Sequence, residues 1–486
     1  MDLRERQVVD AVPTGLLIGG QWRPALGGRT FSVHDPSTGS VLTDVADAAP
    51  ADGMAALDAA AATQPSWAST APRERGEILR RAFELLHERL DDLALLMTLE
   101  MGKPIAESRG EIVYAAEFLR WFSEEAVRIH GDYRVAPAGD KRILTMQQPV
   151  GPCLLITPWN FPMAMGTRKI GPAVAAGCTM VVKPASETPL SMLALAQVMA
   201  EAGLPDGVLN VITTHSSGAV MEPLIRDRRA RKLSFTGSTG VGQRLVEQSA
   251  QQLLRVSMEL GGNAPFLVFA DADLDAAVDG AVQAKMRNVG EACTAANRFL
   301  VADEVADEFS ARLAQRLSSM KVGRGVADDV QVGPVITERA RAEILALVTD
   351  ATDRGARLLT GGNAMEGPGF FVAPTVLADV PPDARVGREE IFGPVAPVVR
   401  FSSEQEALDM ANGTEYGLIS YVFTTDLARG LRVSEALESG MVALNAGVIS
   451  NPAAPFGGVK ASGFGREGGR EGIAEYLETK YVGIGV

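Results

Sequence analysis

The sequence predicts an α/β chain built from parallel βαβ units. Three observations carry this. From about Pro149, short apolar runs alternate with segments of helical spacing. A second alternation of the same kind starts near Pro265. The chain has 486 residues, enough for roughly three domain-sized units of about 150 residues each.

In order, the alanine-rich stretch 55–62 reads as helix, because alanine has the highest helix propensity. Helical patterns follow at 72–99 and 103–127. In the first, Ile78, Leu79, Ala82, Leu85, Leu86 and Leu90 recur near the 3.6-residue period. The runs 153–156, 180–182, 208–212, 232–235 and 255–258 predict strands, with helices at 190–202 and 240–250 between them. In the second block the strands are 265–269, 296–301 and 395–400, and the helices 274–288, 306–320 and 404–412. Such alternation implies parallel sheets with ligands at the carboxyl ends of the strands. The tail ends in the strand-like YVGIGV and is expected to add to a sheet, a neighbour's included.

Apolar residues at 46% and charged residues at 22% fit an ordinary soluble globular protein. The formal net charge of −14 argues against a nucleic-acid partner, since phosphate backbones attract basic surfaces. Cys153, Cys178 and Cys293 are too few, and odd in number, for a disulfide framework. The N-terminus carries charged residues and lacks the apolar core of a secretory signal. The longest uncharged apolar stretch, 171–182, is too short to span a membrane. A cytoplasmic protein without membrane contact is expected. The four histidines, at 34, 87, 130 and 215, are scattered without ligand spacing, so no metal site is expected.

Chemistry concentrates in a few segments. Cys153 and Cys178 sit in apolar runs and read as buried small hydrophobes, whereas Cys293 lies among small and polar residues in NVGEACTAAN, where a carbonyl could reach sulfur. Glu259 ends an apolar strand before two glycines, a placement that faces the ligand crevice and suits a general base. FTGSTGVG (235–242) joins strand to helix as a phosphate-binding turn does, although its glycines do not follow G-x-G-x-x-G. Lys183 ends a strand within VVKPASETPLS, placed to bond a ribose or a phosphate. Two prolines frame Asn160 in TPWNFP, where a fixed side-chain amide can donate to an oxyanion. Glu390, in EEIFGPV, suits a ribose-binding loop. Taken singly, each has an ordinary structural reading: a loop asparagine, a turn glutamate, a tight turn, a solvated lysine.

Together and in this order, WNFP, KPAS, FTGSTG, ELGGN, the cysteine segment with its trailing Ala-Asn-Arg, EEIFGP and PFGGVKASGFGREGG closely resemble the aldehyde dehydrogenase superfamily, from about Leu16 to the last residue. The resemblance implies an aldehyde dehydrogenase-like fold. A Rossmann-like cofactor domain would comprise 1–130 and 148–258, a catalytic α/β domain 259–470, and a small β oligomerisation unit 131–147 and 471–486. It implies a homodimer or homotetramer. It implies Cys293 as nucleophile, Asn160 and the Cys293 N–H as oxyanion donors, and Glu259 as the base for hydrolysis. For the cofactor it implies Glu390 at the nicotinamide ribose with Phe392 beside the ring, Lys183 and Ser186 at the adenosine ribose, Gly237 and Ser238 at the pyrophosphate, and Trp159 and Leu260 along the channel.

Within the superfamily, the segments 167–178, 447–458 and 476–482 are most similar to succinate-semialdehyde dehydrogenases. That likeness implies that Arg168, Arg287 and Ser450 hold the carboxylate of a semialdehyde, as paired guanidiniums do well. Ser186 stands where NAD-preferring relatives often have glutamate, so NADP is expected, with NAD as the alternative. Two departures stand out. Ala295 replaces the second cysteine of a Cys-x-Cys pair, so a disulfide switch there is not expected. Glu291 replaces a glutamine two positions before the nucleophile. The rival readings are a dehydrogenase of another aldehyde, such as glutarate semialdehyde or an aliphatic aldehyde, and a non-catalytic cofactor-binding protein on the same scaffold.

Overall fold

Strands covered on both faces tend to read as continuous apolar runs; Cys153–Ile156 does so, whereas Lys232–Thr236 and Arg255–Glu259 alternate polar and apolar residues. The computed structural model describes residues 1–485. In it, Cys153–Ile156, Met180–Lys183, Leu209–Val211, Lys232–Thr236 and Arg255–Glu259 form a parallel sheet. Leu16–Ile18 and Gln21–Arg23 extend one edge antiparallel, and the two-residue Gly463–Phe464 closes the other against Met258 and Glu259.

Strand order in this sheet reverses between Cys153–Ile156 and Lys232–Thr236. Ligand crevices open beyond the carboxyl ends of strands at such a switch point. Residues 157–160 and Gly237–Ser238 lie there, with Glu259 at the end of the next strand.

The second sheet holds six parallel strands, Thr375–Ala378, Val395–Phe401, Arg298–Ala302, Pro265–Val268, Ile419–Phe423 and Met441–Leu444, with Arg357–Thr360 antiparallel at its edge. Its core centres on Phe266, whose ring stacks on Phe423 at 4.8 Å and packs against Phe299 and Tyr421. The Tyr421 hydroxyl donates to the Thr294 carbonyl at 2.7 Å, which ties the segment after Cys293 to this sheet.

The tail Leu477–Gly485 pairs antiparallel with Lys141–Pro149 of its own chain, and Asp132–Val135 completes a three-stranded sheet. The tail thus adds to a sheet, as expected, and the strand it joins lies within the chain, largely in the 131–147 segment grouped with it. Two predicted helices end early. The pattern at 72–99 splits into Pro72–Glu88 and Leu90–Met101 because Arg89 leaves helical geometry (φ −106°, ψ 17°). Asp91 and Asp92 then stabilise the new N-terminus through the helix dipole. The helix expected over 274–288 stops at Met286, because Asn288 and Val289 take positive φ, 53° and 59°. Positive φ is rare for a β-branched residue and marks an over-determined site. It occurs four residues before Cys293.

Candidate active site

The segment 157–162 leaves its strand at the switch point and carries Asn160 into the interior, where it is 5% exposed. The Asn160 amide donates to the Glu291 carbonyl at 2.9 Å. Its own backbone carbonyl accepts from Lys103 at 2.8 Å and from the Asn288 side chain at 2.9 Å. These bonds hold the loop before Cys293 against the first sheet. A primary amide has two N–H donors, so the second is available to a ligand oxygen.

Cys293 is half-buried, unlike fully buried Cys153 and Cys178. Burial pushes its thiol up to about 12; Arg168 and Arg287 pull it down, while Glu259 and Glu390 push it further up. Those four side chains all lie within electrostatic reach of the sulfur. A free cysteine titrates near 8.5, so the ligand-free protein holds a neutral thiol at neutral pH. Its alkylation by iodoacetamide is expected to be slow at pH 7 and to climb with pH, with no plateau up to about pH 10. A plateau below pH 8 would contradict this environment.

Glu259 is 3% exposed, and neither of its carboxylate oxygens has a hydrogen-bond partner among the described residues. Burial, and then repulsion by Glu467, raises its carboxyl well above the ordinary range, opposed by Arg168, Lys169 and Arg466. Gly457 leaves the space it needs: a Cβ there would lie 2.9 Å from Glu259 Oε1. Glu467 binds Lys169 at 2.5 Å and Arg168 at 2.8 Å. Burial raises its carboxyl, yet these two cations hold it below the usual range. Lys169 and Glu467 were not foreseen from sequence. The available signals were a second cation directly after Arg168 in an apolar stretch and the acid inside GREGG.

The residues expected to hold a carboxylate are close by. Arg168 is 2% exposed and lies over the Phe456 ring at 4.0 Å, with its Nε unbonded among the described residues. Arg287 lies over Phe161 at 4.8 Å and Tyr114 at 5.7 Å. Ser450 shares a small crevice with Arg287, Thr294 and Tyr421, beside the Tyr114 hydroxyl. The Glu291 carboxyl accepts from the Ile336 N–H at 3.0 Å, and burial strongly disfavours its charged form.

A cleft of ≈ 680 Å³ is lined by Trp159, Glu390 and Phe392, together with Glu187 and Glu291. The Trp159 and Phe392 rings meet edge to face at 5.4 Å and 84°. Glu390 accepts from the Gly262 N–H at 3.1 Å, and burial lifts its carboxyl to about 7. A Cβ on Gly261 would come within 2.6 Å of Glu390 Oε2. Lys183 donates to Ser217 at 2.8 Å and is brought down to about 8 by burial. Ser186 contacts the Glu187 carboxylate at 3.2 Å. The Gly237 N–H bonds the Glu259 carbonyl, and Ser238 begins the helix Thr239–Ser249 without a side-chain cap, which leaves its N-terminal donors free for an anion. Leu260 packs on that helix at Gly242, where a Cβ would lie 2.4 Å from it. This donor set fits a dinucleotide: free N–H groups and a lysine for phosphates, carboxylates for ribose, and an aromatic wall for a flat ring. Among the described residues, no group of three or more histidine, cysteine, aspartate or glutamate side chains could hold a metal.

A thiol, a buried carboxyl and a fixed amide, with a donor set suited to a dinucleotide, point to a family, and the chain belongs to it: the aldehyde dehydrogenase family matches over residues 22–482. A succinate-semialdehyde dehydrogenase of Paenarthrobacter nicotinovorans is 61% identical over 91% of this chain and 99% of its own length. A glutarate-semialdehyde dehydrogenase of Pseudomonas putida is 51% identical over 96% of this chain and 97% of its own. The crystal structure of an Escherichia coli NADP-dependent enzyme superposes with a TM-score of 0.97 at 50% identity, covering 98% of this chain and 99% of that one.

Proposed function

We propose that this protein oxidises succinate semialdehyde to succinate with NADP, NAD being the alternative cofactor. The observation that carries the reading is that the Arg168 and Arg287 guanidiniums both act on the Cys293 sulfur, with Ser450 sharing a crevice with Arg287. A four-carbon semialdehyde has an aldehyde at one end and a carboxylate at the other. Two guanidiniums and Ser450 would grip the carboxylate while the sulfur meets the carbonyl.

The chain's own residues then act in sequence. Cys293 gives up its proton and adds to the carbonyl carbon, forming a thiohemiacetal. Asn160 Nδ2 and the Cys293 N–H donate to the oxygen that becomes negative. A bound oxidised nicotinamide supplies the two-electron acceptor for the step that leaves a thioester. Glu259 takes a proton from water, the hydroxide attacks the thioester carbon, and Cys293 leaves as thiolate. Burial raises the Glu259 carboxyl above the ordinary carboxylate range, which makes its carboxylate a stronger acceptor for the water proton. Glu467, held by Lys169 and Arg168, acts on Glu259 by charge and helps to keep its carboxyl raised. Lys183 and Ser186 would hold the adenosine ribose, where serine brings no negative charge to repel a 2′-phosphate. Glu390 would bind the other ribose, Gly237 and Ser238 the pyrophosphate, and Trp159, Leu260 and Phe392 the walls of the channel.

The activity for which the P. putida relative is named favours glutarate semialdehyde as a second reading. A steady-state panel of semialdehydes and neutral aldehydes with NADP and NAD separates the two. The highest kcat/KM is expected for succinate semialdehyde with NADP; no reduced cofactor with any aldehyde would revive the non-catalytic reading.

Arg287 is the cleaner of the two arginines to test, because removing Arg168 would strip Glu467 of a buried partner. Arg287→Ala is expected to raise KM for succinate semialdehyde by about 10- to 100-fold, the worth of a charged hydrogen-bonded contact. A neutral aldehyde should change less than about threefold; equal effects on both would contradict the clamp.

We also assign the oligomerisation unit to 131–147 and 471–486, the cofactor-binding domain to 1–130 and 148–258 and the catalytic domain to 259–470, in a homodimer or homotetramer of the cytoplasm. The solvent-facing three-stranded sheet supports an assembly role. No helix among the described residues is long and apolar enough to cross a membrane.

A further inference from the structure

The segment that carries Cys293 is fastened to the segment that carries Asn160 by more than the Asn160 amide. Asn288 is fully buried, and its Nδ2 donates to two carbonyls, that of Asn160 at 2.9 Å and that of Glu291 at 2.9 Å. Asn160 Nδ2 donates to the same Glu291 carbonyl at 2.9 Å. Amide 160, carbonyl 291, amide 288 and carbonyl 160 thus close a ring of hydrogen bonds. Both partners of the Asn288 amide are carbonyl oxygens, which only its N–H groups can meet, so its orientation is fixed.

The helix Ile105–Glu125 anchors this ring from outside. Glu107, in its first turn, accepts from the Asn288 N–H at 2.6 Å. Glu111, one turn further along the same face, accepts from the Met163 and Ala164 N–H groups at 3.0 and 3.1 Å. Glu111 also binds Lys103, whose ammonium donates to the Asn160 carbonyl at 2.8 Å. The residues beside the ring are joined as well: Lys103 lies over the Phe161 ring at 4.2 Å and Arg287 over the same ring at 4.8 Å. One helix face therefore grips both the loop of the amide and the loop of the nucleophile.

The arrangement is costly as mere packing. Asn288 and Val289 both take positive φ, which asparagine tolerates and a β-branched residue does not. Asn288 Oδ1 is buried without a partner among the described residues. Strain of this kind persists where its surroundings over-determine it, and it gathers at active sites. What it secures here is the position of Asn160 Nδ2 relative to the backbone that leads to Cys293. Donors to a developing oxyanion act by being in place beforehand.

We propose that Asn288, held by Glu107, is a positioning residue for the oxyanion: it fixes the Asn160 amide against the Cys293 N–H so that both meet the substrate carbonyl oxygen. The inference rests on Asn160 as an oxyanion donor in the proposed reaction. Asn288 and Glu107 act through Asn160 and the 291–293 backbone, without touching the substrate themselves.

Asn288→Gly removes the amide and keeps freedom at positive φ. Glu107→Ala removes the acceptor of the Asn288 N–H, while Glu107→Gln keeps an acceptor and drops the charge. Stopped-flow mixing of the full-length enzyme with NADP and aldehyde follows NADPH in the first turnover. Its rate is expected to fall about 30-fold in Asn288→Gly and about tenfold in Glu107→Ala, part of the roughly 10²- to 10³-fold lost with a whole oxyanion donor. Glu107→Gln should restore it to within about threefold of the parent. KM should change less than about twofold, as when a contact made only in the transition state is lost. Succinate semialdehyde and a neutral aldehyde should lose the same factor, because the carbonyl is common to both. If Asn288→Gly does not fold, the Glu107 pair is the test. First-turnover rates within about threefold of the parent in the folded Asn288→Gly and Glu107→Ala, no rescue by Glu107→Gln, or a loss confined to succinate semialdehyde would overturn the positioning role. A parental first turnover in Asn160→Ala would instead overturn the oxyanion reading beneath it.

Discussion

Cys293→Ala is expected to abolish aldehyde oxidation, with a loss of at least about 10⁴-fold in kcat, the scale seen when a covalent nucleophile is removed. The reason is specific to this pocket. Asn160 and the backbone at 293 can stabilise negative oxygen only after something has added to the carbonyl, and alanine has nothing to add. The variant should fold normally, since Cys293 is half-buried and packs loosely compared with Cys153 and Cys178. Cofactor affinity, followed by fluorescence titration, should stay within about threefold, because Trp159, Lys183 and Glu390 are untouched. Turnover above a few per cent of the parental rate would remove Cys293 from the mechanism.

Glu259→Gln should separate the two halves of the reaction. Thioester formation would continue, giving one rapid equivalent of reduced cofactor, and hydrolysis would then stall by about 10²- to 10⁴-fold, the contribution of a positioned base. Stability should move the other way. The folded-state pKa of this carboxyl is raised by burial and by Glu467, so its ionisation costs stability as pH rises above the ordinary carboxylate value. Glutamine carries no such cost. The variant is therefore expected to unfold at a higher temperature than the parent at pH 8, with the gap closing toward pH 5. A parental rate of thioester hydrolysis would assign the base elsewhere.

Much of this site is legible in the chain itself, and for a physical reason. Parallel strands covered on both faces are largely apolar, so 153–156 and 180–182 stand out, while 232–235 and 255–258 keep an apolar residue at every second position. The residues immediately after each of them fall at the carboxyl ends, where α/β proteins bind ligands. Asn160, Gly237 and Glu259 were located in that way. Other features depend on distant partners. Lys169 and Glu467 meet across 298 residues of sequence, and no local pattern announces such a pair. The resemblance groups the tail with 131–147, but residue spacing alone names no partner, because 141–149 is half-buried along most of its length and shows no clean alternation. The helix end at Met286 is set by the positive φ of Asn288 and Val289, which the bonds from Asn288 to Asn160 and Glu291 impose. Local helical spacing carries no trace of it.

The central claim is that sulfur 293, amide 160 and carboxyl 259 share one carbonyl-sized space. The most direct test is to mix Glu259→Gln with succinate semialdehyde and NADP, quench in acid within the first turnover, and map the digest by mass spectrometry. One succinyl group per chain, on the peptide holding Cys293 and absent when Cys293 is also replaced by alanine, is the predicted result. A succinyl group on another residue, or none after a full equivalent of NADPH has formed, would contradict it.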